Sequence, residues 1–213
     1  KAQKVYSYNF SIGMIHIINS YIASGQATNI FPTVGNGENL IYKDRFFDKV
    51  FSMFGLMFFP DRIRGLLETV RVLKPGGTLI LGVWCPVKEL QMANLLFRAL
   101  NSALPQIEVP EHASSMDSEE VIRGELTGVG FKNIDIEKKT FNTTFHSLAD
   151  MFDSFINGAP PFVVIKNGME SGEWKSVRDQ CLSFMHGELE TEDNVNLPMA
   201  CLYAKGQKPE DNF

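Results

Sequence analysis

The groups in this 213-residue chain that can do chemistry are four histidines, three cysteines and a few amides and hydroxyls where apolar runs end. His16, His112, His146 and His186 lie far apart, with no HExxH and no Cys/His spacing of a metal site. Cys85, Cys181 and Cys201 form no CxxC pair and read as apolar fillers of a reducing, cytoplasmic environment. No GxSxG elbow and no Walker A loop occurs. What remains is of two kinds. Glu111 and His112, in a Pro-containing loop, are candidate general bases, although loop charges are usually solvated. Asn9, Asn36 with Gly37, and Ser52-Met53-Phe54 stand at the ends of apolar runs. An amide both accepts and donates hydrogen bonds, and ligands of open α/β sheets sit outside the carboxyl ends of the strands.

The stretch that must position these groups is Phe47–Trp84. Phe47, Val50 and Phe51 make the apolar part of a strand, and Pro60-Asp61 opens a helix, where Asp suits the positive end of the dipole. Ile63, Leu66, Leu67, Val70 and Leu73 recur on one helical face. Lys74-Pro75-Gly76-Gly77 reads as a stop and turn, and Thr78–Trp84 as a strand covered on both faces. With a right-handed crossover this is a βαβ unit. Upstream, Lys4–Phe10 reads as a strand, Ser11 as an N-cap, and Met14, Ile15, Ile17, Ile18, Tyr21 and Ile22 as the apolar side of a helix ended by Gly25. Asn29–Val34 reads as a further strand. Downstream come helices over Leu90–Leu104 and, capped by Met116-Asp117-Ser118, through Gly128, a strand over Lys132–Phe145, and helices over Ser147–Asn157 and Glu173–Leu189. Gly158-Ala159-Pro160-Pro161 reads as a break, Leu197–Lys205 as a terminal strand, and Gly206–Phe213 as a frayed polar tail.

FDKVFS, the helix, LKPGG and a strand ending in Val83-Trp84 resemble the second half of a class I S-adenosylmethionine-dependent methyltransferase of the small-molecule type. The order helix, Gly130-Phe131, alternating strand is also similar to that family. The resemblance implies an α/β, Rossmann-like, mostly parallel sheet with helices on both faces, a small helical lid, and an antiparallel final strand, Leu197–Lys205, beside Thr78–Trp84. It implies S-adenosyl-L-methionine as cofactor and a small-molecule methyl acceptor. NFSIGMI, Asn9 to Ile15, looks like the segment after the family's second strand, so Asn9, with Phe10 beside it, takes the place of an acid that accepts both ribose hydroxyls. Met14 takes that of the adenine cover. Asn36, with Gly37, stands where an Asp meets the adenine amino group. Ser52, Met53 and Phe54 stand where backbone holds the methionine part, and Phe58 and Trp84 face the acceptor. Plainer readings stand beside these: Asn9 as a strand-end polar residue, Met14 and Phe58 as core, Asn36 as a Gly-Asn turn.

Composition sets the bounds. The chain is 44% apolar and 21% charged, with a net charge of −5 and no basic stripe, which argues against nucleic-acid binding. Its apolar runs are too short to span a bilayer, and no signal peptide is recognisable. A single domain over residues 1–213 is expected, with residues 86–118 and 146–195 as lid segments that carry Phe152, Phe155, Phe162 and Trp174. The family's GxGxG loop and first strand would precede Lys1, and the chain contains no such loop. The resemblance therefore implies an N-terminally incomplete or degenerate methyltransferase that binds its cofactor very weakly or not at all. It also implies that Val5–Asn9 either stands apart from Asp48–Ser52 or closes directly onto it. Two other readings are a non-catalytic binding module on the same fold and a nicotinamide-binding Rossmann domain.

Overall fold

The computed structural model describes residues 3–112, 114–189, 191 and 193–211, so Lys1 and the tail residues Asn212 and Phe213 lie outside it. The chain forms two compact units, one of residues 1–83, 119–137 and 203–213, the other of residues 84–118 and 138–202.

In the first unit, β1 (Val5–Asn9) leads into α1 (Ile12–Ala23), then β2 (Ile30–Val34), β3 (Phe47–Met53), α2 (Arg62–Val72) and β4 (Leu73–Trp84), with α4 (Glu119–Gly128) later in the chain. The helix starts follow the expected chemistry. Ser11 Oγ accepts the Met14 N–H, and an Asp61 carboxylate oxygen accepts the Arg64 N–H, each satisfying an otherwise orphaned donor of the first turn. Leu66 and Val72 of α2 are fully buried, whereas Ile63 and Leu67 lie exposed. In α1 only Ile15 is buried; Met14, Ile17 and Tyr21 are exposed, which corrects the expectation of a packed apolar face.

The LKPGG stretch is also a correction. β4 begins at Leu73, with Phe47 paired to Leu73 and Lys49 to Thr78, so residues 74–77 bulge from a strand instead of turning before one. Gly76 takes a φ of 72°, open to glycine at little cost. Its N–H donates to the Lys208 carbonyl at 3.0 Å, and the Lys208 N–H donates to the Gly77 carbonyl at 2.8 Å. That pairing with the end of β6 (Asp193–Gln207) extends the strand through the glycines. It also holds the first residues of the tail, which are therefore not frayed.

β1 and β2 form a parallel pair, and a separate sheet has the order β3-β4-β6-β5, where β5 is Lys132–Ser147. β3 and β4 are parallel. β6 runs antiparallel to β4, because Gly76 and Gly77 meet Lys208 while Cys85 meets Ala200. It runs antiparallel to β5, because Asn133 meets Gln207 while Cys201 meets Lys139. This is the expected placement of the final strand, and it disfavours the nicotinamide-binding reading. β1 stands apart from β3, the first of the two arrangements expected. Aromatic rings meet across that separation: Tyr6 lies 5.6 Å from Phe47 and 5.4 Å from Phe46, and Tyr42 lies 4.9 Å from Phe47, centroid to centroid.

The second unit is mainly helical. α3 (Gln91–Ala103) packs on α7 (Ser171–Leu189), and α5 (Leu148–Gly158) on both α6 (Pro160–Asn167) and α7. Met92, Leu96, Leu100, Met151, Phe152, Cys181 and Met185 are buried there. α6 occupies part of the expected break, since Pro is tolerated in the first turn, where the N–H needs no intrahelical partner. Bidentate Arg178–Asp153 bonds of 2.8 and 2.6 Å tie α7 to α5.

Candidate cofactor and acceptor sites

Parallel pairing sets Asn9 opposite Val34, so Asn9 and the Gly35-Asn36-Gly37 turn share one strand end. The Gly35 N–H donates to the Asn9 carbonyl at 3.0 Å. Both amide oxygens are engaged locally. Asn9 Oδ1 accepts the Ser11 N–H at 2.8 Å, and Asn36 Oδ1 accepts the Glu38 N–H at 2.9 Å. These are Asx turns, the local alternative that such side chains offer a backbone. Glu38, which the sequence reading did not single out, links this end to the next element. Its carboxylate accepts the Asp61 N–H at 2.8 Å and its carbonyl accepts from Arg64 Nε at 2.9 Å.

Phe10 is 81% exposed and Met14 47%, which sets aside the packing reading of Met14. A Cβ at Gly37 would stand 2.4 Å from the Phe59 ring, and one at Gly35 would stand 2.0 Å from the Tyr8 hydroxyl. The glycines here admit the chain's own rings. Ser52, Met53 and Phe54 lie in the other sheet at the carboxyl end of β3. Ser52 Oγ accepts the Leu56 N–H at 3.0 Å, and the Phe54 N–H donates to the Gly82 carbonyl at 2.8 Å from a φ of 55°. Phe58 is half exposed, so it is not core, while Phe59 is the partly buried ring that packs under the α2 entrance. Trp84 belongs to the second unit, where its ring lies 6.2 Å from Phe141.

The residues present fit S-adenosylmethionine in part. Asn9 and Asn36 each keep a second lone pair at neighbouring strand ends, with the NH2 group of Asn9 and, beyond its bond to Glu38 Oε2 at 3.5 Å, one N–H of Asn36, which suits ribose and adenine edges. Among the described residues, Ser52 and Met53 pair with β4, the Phe54 N–H is taken by the Gly82 carbonyl, and no glycine-rich segment offers a close approach to the methionine end.

In the second unit, Glu111 and His112 sit in the loop after α3. His112 Nδ1 lies 2.9 Å from Asp117 Oδ2, and Nε2 lies 3.9 Å from Glu111 Oε2. The Asp117 side chain is 6% exposed, that of His112 57%. The sequence had offered Asp117 only as part of a helix cap; its spacing from His112 was the available signal. Burial pushes the thiols of Cys85 and Cys181 up to about 11, so neither is a thiolate nucleophile near neutral pH. A pocket of about 210 Å³ lies elsewhere in this unit, lined by Ser147, Leu148, Ala149, Leu182, His186 and Asp193.

The sheet order, the antiparallel β6 and the strand-end turns make one comparison decisive. Phosphoethanolamine N-methyltransferase 2 of Haemonchus contortus, solved with S-adenosylmethionine, superposes over 97% of this chain and 44% of its own, with a TM-score of 0.54 and 13% identity. The fold is that of the class I methyltransferases. A family model described as a methyltransferase domain matches residues 1–81. The cyclase SpnF superposes comparably, over 99% of this chain and 67% of its own, with a TM-score of 0.56 and 16% identity. In sequence, a demethylmenaquinone methyltransferase of Geobacillus is 35% identical over 77 residues, which are 36% of this chain and 33% of that protein. The chain thus spans about a third of the length of the first curated relatives it matches. No described helix is long and apolar enough to cross a membrane.

Proposed function

We propose that this chain acts in S-adenosylmethionine-dependent methyl transfer to a small hydroxylated aromatic acceptor, of the kind that quinone precursors present. The observation that carries this reading is the coincidence of the β3-β4-β6-β5 order with a methyltransferase-domain match over residues 1–81. The acceptor class rests on the demethylmenaquinone methyltransferases among its relatives. In this reading Asn9 accepts from the ribose hydroxyls, Asn36 and Gly37 meet the adenine edge, and Phe10 and Met14 cover its face. Ser52, Met53 and Phe54 border the methionine part; Phe58 and Trp84 border the acceptor; residues 86–118 and 146–195 form the lid. The bound cofactor supplies an activated methyl, and the chain's own residues orient the acceptor and remove its proton. A cytoplasmic location goes with three buried free thiols.

Calorimetric titration with S-adenosylmethionine tests the reading. Weak binding is expected, and Asn9→Asp should tighten it. A carboxylate accepts from both ribose hydroxyls, and each charge-assisted bond contributes roughly 1.5–3 kcal/mol before desolvation is subtracted. A second reading, a non-catalytic module, is favoured by the amides that stand in place of acids and by their engagement in local turns. The cyclase SpnF shows the same fold carrying another chemistry. Absence of binding to both the parent and Asn9→Asp, with the fold intact, would decide for the second.

A further inference from the structure

We propose that His112 is the proton acceptor for the acceptor's hydroxyl and that Asp117 is its positioning residue. The inference rests on the methyltransferase reading for its substrate and on local geometry for everything else. Asp117 is a carboxylate 5% exposed, and a buried carboxylate needs a donor. The imidazole Nδ1 at 2.9 Å supplies one. A carboxylate can only accept, so the proton sits on Nδ1 and the Nε2 lone pair is left free. The His112 side chain is 57% exposed, with Glu111 Oε2 3.9 Å from Nε2, so an incoming hydroxyl can reach the ring.

The loop is held from both sides. The Val87 N–H donates to the Glu111 carbonyl at 3.1 Å, and Val87 is buried just beyond Cys85-Pro86, at the carboxyl end of β4. On the other side Met116 is fully buried and its N–H donates to Ser114 Oγ at 3.1 Å. The dyad is thereby fixed beside a strand end of the kind where ligands of open sheets are received. Its charged surroundings are Glu111 and Asp117 on the loop itself. Cys85, just after β4, which feels Asp117, also feels Glu89 on the short helix Val87–Glu89 and Lys138 on β5.

The step is a proton transfer. The acceptor's O–H bond breaks, an Nε2–H bond forms, and the electron pair left on the acceptor oxygen delocalises into the ring, making the ring carbon that takes the methyl nucleophilic. Asp117 stabilises the resulting imidazolium, which releases its proton to water through the exposed face. Nothing is oxidised or reduced.

The test uses the full chain and does not depend on methyl transfer. Nitrogen-15 spectra of the imidazole should show the Nδ1–H tautomer, and Asp117→Asn should weaken that preference with circular dichroism unchanged. The chromogenic probe 4-nitrophenol, added at a pH where it is neutral in water, should show phenolate absorbance with the parent chain and not with His112→Ala. Where S-adenosylmethionine binding permits turnover of a reduced demethylmenaquinone, His112→Ala should lower kcat on the order of 100-fold with KM unchanged, and added imidazole should restore it. The Nε2–H tautomer in the parent chain, or equal probe absorbance in parent and His112→Ala (including none in either), overturns the proposal. Absence of S-adenosylmethionine binding to both the parent and Asn9→Asp counts against the methyltransferase reading and leaves the dyad's two spectroscopic results to stand or fall by themselves.

Discussion

Tyr42, whose ring centroid lies 4.9 Å from that of Phe47 and 5.8 Å from those of Tyr8 and Phe46, carries a hydroxyl shielded from solvent that has no hydrogen-bond partner among the described residues. An unsatisfied buried hydroxyl costs about 1–3 kcal/mol, so Tyr42→Phe is expected to stabilise the chain by about 1 kcal/mol. Urea unfolding at equal m-value measures it; a loss of stability would mean that the hydroxyl has a partner in solution. The same scale shows how far single residues were readable. The strand-end places of Asn9 and Asn36 were legible, but their bonds to Ser11 and Glu38 were not, because Asx turns follow from backbone geometry that residue type only permits. His112 was found as a loop histidine. Its pairing with Asp117 was not, because a carboxylate two residues ahead of a helix reads equally well as part of a cap.

Helix α2 is the element whose sequence and structure agree most closely, and the reason is local. Its cap, its apolar repeat and its acidic entry all lie within a dozen residues. Asp61→Ala should therefore cost about 1 kcal/mol, the usual loss on removing an N-cap oxygen, as read by thermal or urea unfolding. Its last turn does more than the sequence reveals. Arg71 donates to the Leu40 and Tyr42 carbonyls, to Asp44 and to Glu68, and so pins the connection from β2 to β3. Glu68 in turn accepts the Leu40 N–H at 2.7 Å. Arg71 holds the Glu68 carboxyl below its ordinary value of 4.5. A carboxyl whose folded value is depressed contributes stability above its unfolded value and loses it as pH falls through the folded one. Glu68→Gln should accordingly flatten the fall in stability below about pH 4.5, measured by urea unfolding across that range. Elements decided by distant partners were less legible. β4 runs through Lys74-Pro75-Gly76-Gly77 because Lys208 pairs with the glycines, and nothing near residue 75 announces residue 208. α6 was hidden for the opposite reason, since adjacent prolines suit a break and a helix start equally well.

At the scale of the whole chain, the order of strands was legible because a family pattern carries topology across long separations. The consequence for stability is physical. β1 and β2 contain no buried residue, and α1, which accompanies them, buries Ile15 alone. β4, by contrast, buries Leu73, Leu79, Leu81 and Val83 and pairs on both sides, with β3 and β6. Phe51 and Met53 of β3 are 62% and 45% exposed, so the side of the sheet towards β1 carries little buried apolar area. At about 25 cal/mol per Å² of apolar surface removed from water, segments that bury so little add little to cooperative stability. What joins β1 and β2 to the rest of the first unit is mainly the cluster of Tyr6, Tyr42, Phe46 and Phe47. Local opening is drawn from such weakly packed segments. Native-state hydrogen exchange should therefore release the amides of β1, α1 and β2 well before those of β4 and β6. A gap of about 3 kcal/mol in opening free energy, roughly a hundredfold in rate, is expected. Tyr6→Ala, which removes the ring that meets Phe46 and Phe47, should widen the gap without changing exchange in β4. Equal protection of β1 and β4 in the parent chain would mean that the two sheets open as one cooperative unit, and that the aromatic cluster couples them far more strongly than its contact area provides.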